Sequence, residues 1–563
     1  LQAYETFRKS CGSQGLLVGE ATTMEQVLPR DVNPPRKAEG FSVDMARNET
    51  EGFQVIVSTA KGIGRNVRVN VTDLKGPRGA SFPADGVSVG VVGYTAATNS
   101  AAACGRGCNV RTSGGVGYRR ELALPQMGWW PDSILDFLPS CTVEEKDFQG
   151  FWVSLKSPDG LLPGTYSGSV RVTADGLRTV LIPLQVRIRD FNLPMTSPLP
   201  IIIPFSPNYR DYQGRDFWRR KDDKEAPIHV WKSRMREWTD FLADHFVSLD
   251  DLYHGGKDRL EWMLPELKHL KEQGRLGPVN VCYFFPDGGF DDAAHARWRE
   301  KGLPRVKAAY AFLKENDLLD TAYVYGGDEL GANAFPLLGK MIADVRKACP
   351  GLPIATTVHD DSYGVTSGLD YDWFIRTSQD YEANCGACMD GARARGRKAW
   401  WYICDGPYPP FANLYLQSAA IEGRLLMGAM TQRMKPDGFM MYQMAIWNSK
   451  RPITSGPYTD WESETKTIRL GSADWVHCGP DGKPLSTIRF ENFRDGIEDL
   501  MYAKLLEAKV QEKKDKSDDW TRRAQAALAV PQSVMDTMRN YTDDPKCLYS
   551  WRKEMADLIE GKN

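Results

Sequence analysis

The feature that most constrains this chain is a change of pattern across residues 193–200, where Pro194, Pro198 and Pro200 deny both ladder donors and helix. Before it, apolar residues alternate with period two: Phe53, Val55 and Val57; then Val67, Val69 and Val71; then Val180, Ile182, Leu184, Val186 and Ile188. That period buries one face of a strand and solvates the other. Glycine and proline clusters at 75–79 and 160–164 punctuate the strands. With long helical periodicity absent, residues 1–195 are expected to form an all-β sandwich. After Pro198, short apolar runs alternate with amphipathic stretches. Eight strand candidates are 199–205, 247–252, 279–285, 321–325, 354–358, 373–376, 399–404 and 439–443. Helical stretches lie between most of them, near 294–315, 334–348 and 414–434. Another runs from about 225 to 245, with Trp231, Met235, Trp238 and Leu242 on one face. A (β/α)8 TIM barrel is therefore expected over residues 196–455. The alternative, a doubly wound sheet, needs a Gly-rich phosphate turn, and no G-x-G-x-x-G or Walker motif occurs. Residues 456–563 are expected to be barrel-associated, with short strands and a helix from Phe493 on which Ile497, Leu500, Met501 and Leu505 share a face.

At 563 residues the chain exceeds the size at which one core keeps growing, which agrees with several domains. Its 71 basic and 73 acidic residues nearly cancel, which leaves no electrostatic footprint for nucleic acid and no polybasic patch for a membrane. No apolar run reaches the roughly 18 residues of a membrane span. The opening at Leu1, without a basic or apolar leader, reads as a trimmed or mature chain and leads to the expectation of a secreted or periplasmic protein. The 11 cysteines include two close pairs, Cys104 with Cys108 and Cys385 with Cys388. No second C-x-x-C lies near Cys385, so these read as free or locally bridged thiols rather than zinc ligands.

The chemistry concentrates in Tyr323-Val-Tyr-Gly-Gly-Asp328-Glu329-Leu330, a β run followed by two glycines and two carboxylates. On the fourth barrel strand this pair falls at the C-terminal end, where barrel enzymes keep their functional residues. The competing reading is a solvated loop or a cap on the helix that follows. Adjacent carboxylates suit poorly a retaining pair that flanks a glycosidic bond. They suit substrate-assisted cleavage, in which a 2-acetamido oxygen is the nucleophile, one carboxylate holds the acetamide N–H and the other moves the proton. Late strand ends carry Tyr402, Asp405, Tyr442 and Trp447, candidates for the wall of a sugar site, whereas Trp400, Phe439 and Met441 read as barrel core. His359 and Asp360 follow strand five, with Asp361 beside them, and fit either hydroxyl binding or a capped turn. A metal site there lacks further ligands, and no H-E-x-x-H motif occurs, so neither metal nor cofactor is expected.

At these residues the sequence resembles glycoside hydrolase family 123, the exo-acting β-N-acetylgalactosaminidases. The Tyr-Gly-Gly-Asp-Glu segment resembles its catalytic pair, and Trp401-Tyr402-x-Cys404-x-x-Pro407 resembles its aromatic seventh strand. Glu422-x-Arg424-Leu425, then Gly438-Phe439-x-x-Tyr442 and Trp447, are similar to its last βα unit. Ser486-Thr-Ile-Arg489-Phe-x-x-Phe493-Arg494-Asp495-Gly496-Ile497-Glu498-Asp499 is similar to the segment that ends the barrel and begins its C-terminal helix. Pro163 to Gly168 and Phe191-x-Leu193-Pro194 are similar to its N-terminal domain. The resemblance implies a retaining enzyme acting on a glycan with a terminal β-linked N-acetylhexosamine, galactosamine ahead of glucosamine, with Asp328 assisting the acetamide and Glu329 as acid/base. Two other readings stay open. One is a glycosidase for a sugar without a 2-acetamido group, with Asp405 or Asp360 as nucleophile. The other is a non-catalytic carbohydrate-binding protein on the same fold. A homo-oligomer is compatible with either.

Overall fold

The computed structural model describes residues 1–12, 14–97, 128–205, 226–384, 386–447, 452–461, 463, 471–513 and 518–561. Cys104, Cys108, Cys385 and the Trp231 side chain, singled out above, lie outside the described residues.

The N-terminal part is built from two sheets. Its strands, in chain order, are β1 (Leu16–Ala21), β2 (Arg36–Lys37), β3 (Phe41–Arg47), β4 (Thr50–Thr59), β5 (Gly64–Val71), β6 (Val87–Ala97), β7 (Gly128–Leu135), β8 (Cys141–Val143), β9 (Gln149–Lys156), β10 (Gly164–Thr173) and β11 (Val180–Asn192). One sheet has the order β2-β1-β4-β9-β6-β7 and the other β3-β11-β10-β5-β8. They share a core, in which Phe41 of one sheet stacks on Phe53 of the other with ring centroids 4.4 Å apart. Strand β5 alternates between buried and exposed as its sequence implies, but β4 is buried on both faces. The second face of β4 is covered by a helix, Gln2–Cys11, whose Tyr4 and Phe7 cluster with Ile56 and Phe148. That helix corrects the all-β expectation: at 10 residues its apolar stripe is too short to stand out as a period.

The second part is a curled, parallel, seven-stranded sheet. Its strands are β12 (Ile201–Ile202), β13 (Val279–Phe284), β14 (Ala322–Gly326), β15 (Ile354–Thr356), β16 (Trp373–Thr377), β17 (Lys398–Ile403) and β18 (Phe439–Met441), in the order β12-β18-β17-β16-β15-β14-β13. Seven of the eight expected strands are thus present. The eighth, residues 247–252, joins no ladder, yet both edges of the sheet bond to it. Phe205 N–H donates to the Asp250 carbonyl at 3.1 Å. On the other side Asn280 of β13 donates its backbone N–H to Asp250 Oδ1 at 2.8 Å and its amide to the Asp251 and Leu252 carbonyls at 3.1 and 2.8 Å. A buried side chain here takes the place of ladder bonds, which period-two reading cannot anticipate.

Between strands, Ala226–Asp244 forms the expected helix, with Met235, Trp238 and Leu242 buried. The helix expected from 414 begins only at Ile421, because Asn413 ties up the preceding loop, donating its amide to the Cys404 and Pro407 carbonyls and its N–H to Glu422. The helix expected from Phe493 begins earlier and spans Ile488–Glu512, capped by the Thr487 hydroxyl on the Phe490 N–H. Its first turns carry the polar residues Arg489, Glu491 and Asn492, all buried.

Those buried charges join the two parts. Arg424 donates to Asp499 at 2.7 Å and to Glu51 of β4 at 2.9 Å. Arg489 forms a two-pronged pair with Asp132 of β7 at 2.9 and 2.8 Å. Arg552, on the last helix, Pro545–Ile559, bonds Glu49 and Glu51.

Inside the curled sheet, Asp250 is fully enclosed and accepts from Tyr323 Oη at 2.6 Å. Burial pushes its carboxyl up to about 7, against the opposing pull of its hydrogen bonds. The folded state therefore binds a proton that the unfolded chain releases near pH 4, so this group's contribution to stability is lost as pH rises through about 7. Unfolding free energies of the wild type and Asp250→Asn, measured from pH 4 to 9, are expected to show the wild type's advantage shrinking up to about pH 8 and then levelling. A constant difference across that range would contradict the assignment.

Candidate active site

The pair Asp328-Glu329 follows β14 directly. Neighbouring residues on a regular strand face opposite ways, and two left-handed residues break that rule here: Gly327 at φ 77° and Glu329 at φ 50°. Gly327 is also sterically required, since a Cβ there would lie 2.6 Å from the Tyr371 hydroxyl. For Glu329 the left-handed conformation costs on the order of 1–2 kcal/mol and is held by its N–H on Thr357 Oγ1 at 3.1 Å. As a result both carboxylates turn towards the same interior cluster. Asp328 Oδ1 accepts from Tyr325 Oη at 2.5 Å and Thr357 Oγ1 at 2.8 Å. Glu329 Oε1 accepts from Tyr402 Oη at 2.8 Å. Tyr325 and Tyr402 both belong to the apolar cluster that fills the curled sheet. Neither carboxylate caps the following helix, which starts at Phe335 with Ala334 at its N-cap.

Each acid thus has one oxygen anchored and the other, Asp328 Oδ2 or Glu329 Oε2, without a hydrogen bond among the described residues. Asp328 is half-buried and Glu329 exposed, so the pair runs from the interior to the rim. The anchoring hydroxyls stay protonated. Burial, then the neighbouring Tyr253 and Asp328, hold Tyr325 well above the usual phenol range. Burial and the Glu329 charge do the same for Tyr402. Beside them, burial pushes the Cys404 thiol up to about 12, which leaves no thiolate nucleophile at neutral pH.

The other sequence candidates divide. His359 is exposed beside the pair, its N–H on the Leu330 carbonyl at 2.8 Å. Its Nδ1 lies 3.2 Å from Arg376 Nη1. A guanidinium only donates, so Nδ1 is the acceptor and the neutral ring carries its proton on Nε2. Tyr402 is brought onto Glu329. Asp360 is buried and serves a turn, accepting from Ser362 and Gly364 N–H groups and from the Ser362 and Ser367 hydroxyls at 2.5–3.0 Å. Of the two readings open for Asp360, the capped turn is the one its bonds describe. Asp405 is half-buried, with Oδ1 accepting from Ser472 at 2.6 Å. Tyr442 is half-buried against the core. Trp447, expected to face the site, is buried instead, with Nε1 on the Val476 carbonyl at 2.6 Å and its ring among Phe205, Trp238 and Trp461. Beyond Met441 the strand has ended, so counting alternate residues no longer gives the direction of Trp447.

Sequence reasoning missed Tyr325, Thr357 and Arg376. Tyr325 stands two residues before the glycine turn, where strand alternation aims it along the same face as the residues at the strand end, and that was the available signal. Arg376, at the end of β16, is buried and organises the loop that follows β15 through the Val358 carbonyl at 2.9 Å and Asp361 at 2.8 Å. Among the described residues no group of three or more His, Cys, Asp or Glu side chains is arranged to hold a metal ion. No helix of the described residues is long and apolar enough to cross a membrane.

Two family models match the chain. The glycoside hydrolase 123 catalytic domain matches residues 291–506, which include Asp328 and Glu329, and the glycoside hydrolase 123 N-terminal domain matches residues 33–174. Comparison with curated protein sequences finds no match. Among solved structures, a family 123 glycoside hydrolase from Clostridium perfringens, described for glycolipid glycan hydrolysis, superposes with a TM-score of 0.68 at 15% identity, over 97% of each chain. A family 39 glycoside hydrolase from Bacteroides cellulosilyticus reaches a TM-score of 0.32 at 10% identity, over 66% of this chain and 77% of that one. A β-D-glucuronidase of Dictyoglomus thermophilum reaches 0.31 at 9% identity, over 82% of this chain and 69% of that one. The last two scores are too low to carry an argument; the first shows a common fold.

The geometry makes Thr357 the hub of the pair. Thr357→Val keeps the shape but leaves the Glu329 N–H without its acceptor and Asp328 with one donor fewer. Urea unfolding is expected to show a loss of about 1–3 kcal/mol, largely recovered in Thr357→Ser. A valine variant as stable as the wild type would contradict this role.

Proposed function

The chain belongs to glycoside hydrolase family 123, and on that premise we propose that it is an exo-acting, retaining enzyme that releases terminal β-linked N-acetylgalactosamine with help from the substrate's own acetamide. The observation that carries the reading is the pair itself: two adjacent carboxylates, each with one oxygen anchored by a protonated tyrosine and the other open at the mouth of the curled sheet. The full (β/α)8 barrel, with residues 247–252 as its second strand, belongs to the same proposal and is supported by the bonds that both sheet edges make to that segment.

The proposed chemistry follows from which atoms are free. Asp328 Oδ2 accepts the acetamide N–H and thereby points the acetamide oxygen at C1. That oxygen attacks C1 as the glycosidic C1–O bond breaks, and Glu329 gives its proton to the departing oxygen. The intermediate is an oxazolinium ion, whose positive charge is opposed by the Asp328 carboxylate. Water then attacks C1 while Glu329 takes its proton, which restores the acetamide and leaves the anomeric configuration unchanged. Tyr402 fixes Glu329 in one orientation through both steps, and Tyr325 with Thr357 does so for Asp328.

Galactosamine ahead of glucosamine rests on the family resemblance. The Clostridium perfringens relative, described for glycolipid glycans, supports glycolipid-borne glycans as the substrate class. The reading with a separate nucleophile finds little support: Asp360 spends both oxygens on its turn, and Asp405 has one held by Ser472.

The two carboxylates are expected to fail differently. Glu329→Ala lowers kcat/KM by roughly 1,000-fold on an oligosaccharide but by only about tenfold on a nitrophenyl glycoside, whose leaving group needs little protonation. Asp328→Asn lowers both by roughly 100–1,000-fold, because it acts on the charged intermediate. Steady-state kinetics of both variants on both substrates would refute these roles if the losses were alike.

A further inference from the structure

The rings of Tyr325, Tyr283 and Phe285 form a ladder out of the mouth of the curled sheet. Tyr283 stacks on Tyr325 with centroids 5.7 Å apart, and Phe285 stacks on Tyr283 at 6.0 Å, each at 25° between planes. The register explains the line. Tyr283 of β13 pairs with Tyr325 of β14, and Phe284 with Gly326, so Phe285 stands level with Gly327, one residue before Asp328. Alternation sends Tyr283 and Phe285 to the face that Tyr325 occupies. Exposure rises along the ladder: Tyr325 is fully buried, Tyr283 half-buried and Phe285 41% exposed.

The outer ring stands on a fixed frame. Tyr253 braces Tyr283 and Tyr325 edge-on, at 5.4 and 6.1 Å. The loop beyond Phe285 is pinned by Arg297, whose Nε and Nη2 donate to the Asp287 carbonyl at 3.1 and 2.6 Å. Asp291 then caps the next helix on the Ala294 N–H at 2.8 Å. A ring already held in place loses little freedom when a ligand covers it.

We propose that Phe285, seated on Tyr283, is the platform for the sugar on the leaving-group side of the scissile bond. This rests on the function proposed above. The inner end of the ladder is the ring that holds Asp328, where the terminal sugar's acetamide is bound. Glu329 meets the glycosidic oxygen at the rim, and the rest of the glycan continues outward across Phe285. An aromatic face covers the C–H face of a pyranose and reads no hydroxyl, so this position accepts second sugars that differ in hydroxyl configuration.

The test compares wild type, Phe285→Ala and Phe285→Trp. One readout is kcat/KM on an unlabelled oligosaccharide ending in β-N-acetylgalactosamine. The other is the inhibition constant of free N-acetylgalactosamine, which fills only the inner site. Phe285→Ala is expected to lower kcat/KM about tenfold through KM, with the inhibition constant unchanged, and Phe285→Trp to stay near wild type. Unchanged kcat/KM in the alanine variant overturns the platform. So does an equal loss in both readouts, which assigns Phe285 to the inner site or to folding. A wild type that does not cleave the oligosaccharide overturns the underlying function, and the platform falls with it.

Discussion

A guanidinium keeps its charge at any pH a cell meets, so burying Arg424 obliges the chain to bring carboxylates to it. They come from distant places: Glu51 from a strand of the N-terminal sheets and Asp499 from the long helix near the C-terminus. Arg552 and Arg489 repeat the pattern with Glu49 and Asp132. Removing one member of such a group strands a buried charge and costs roughly 3–5 kcal/mol. These pairs therefore act less as glue than as a lock that admits one arrangement of sheets, curled sheet and helix. The lock reaches the site, because Arg424 lies in the helix after the β17 loop, and β17 carries Tyr402. The similarity of residues 486–499 to the family pattern acquires a physical meaning in this light. Glu498 takes the Thr50 N–H at 3.0 Å and Arg489 grips Asp132, so the segment fixes domains rather than substrate.

The site applies the same economy on a smaller scale. A regular strand cannot point two successive carboxylates one way, and the Gly327 and Glu329 conformations remove that limit at a modest strain. Thr357, Tyr325 and Tyr402 then leave each acid with one committed and one open oxygen. This is what the proposed reaction, with its two separate tasks, requires: one group to hold and one to exchange a proton, both placed before substrate arrives.

What could be read from the sequence follows from which interactions are local. Period-two runs gave three of the eleven N-terminal strands described, β4, β5 and β11, and alternating runs gave seven strands of the curled sheet. The Asp328-Glu329 pair stood out because glycines beside carboxylates at a strand end are unusual in a core. Failures had a common cause, polar residues acting at long range. Asn280 replaced a ladder and hid the standing of residues 247–252. Buried Arg489, Glu491 and Asn492 hid the first turns of the 25-residue helix, since a helix buried all round has no polar face to reveal it. Thr357 looks like an ordinary strand residue until the fold brings it to the pair, and Arg376 until it grips the loop that carries His359. Trp447 erred in the other direction, an aromatic past a strand end that packs inward.

The central claim is that the sugar's 2-acetamido group does the work a protein nucleophile does in other glycosidases, with Asp328 serving it. The most direct measurement is the initial rate of nitrophenol release from the β-N-acetylgalactosaminide and from the matching β-galactoside, which differ only at C2. Cleavage of the first with no detectable cleavage of the second is the expected result. Comparable rates on both would contradict the account, because the galactoside has no acetamide for Asp328 to hold.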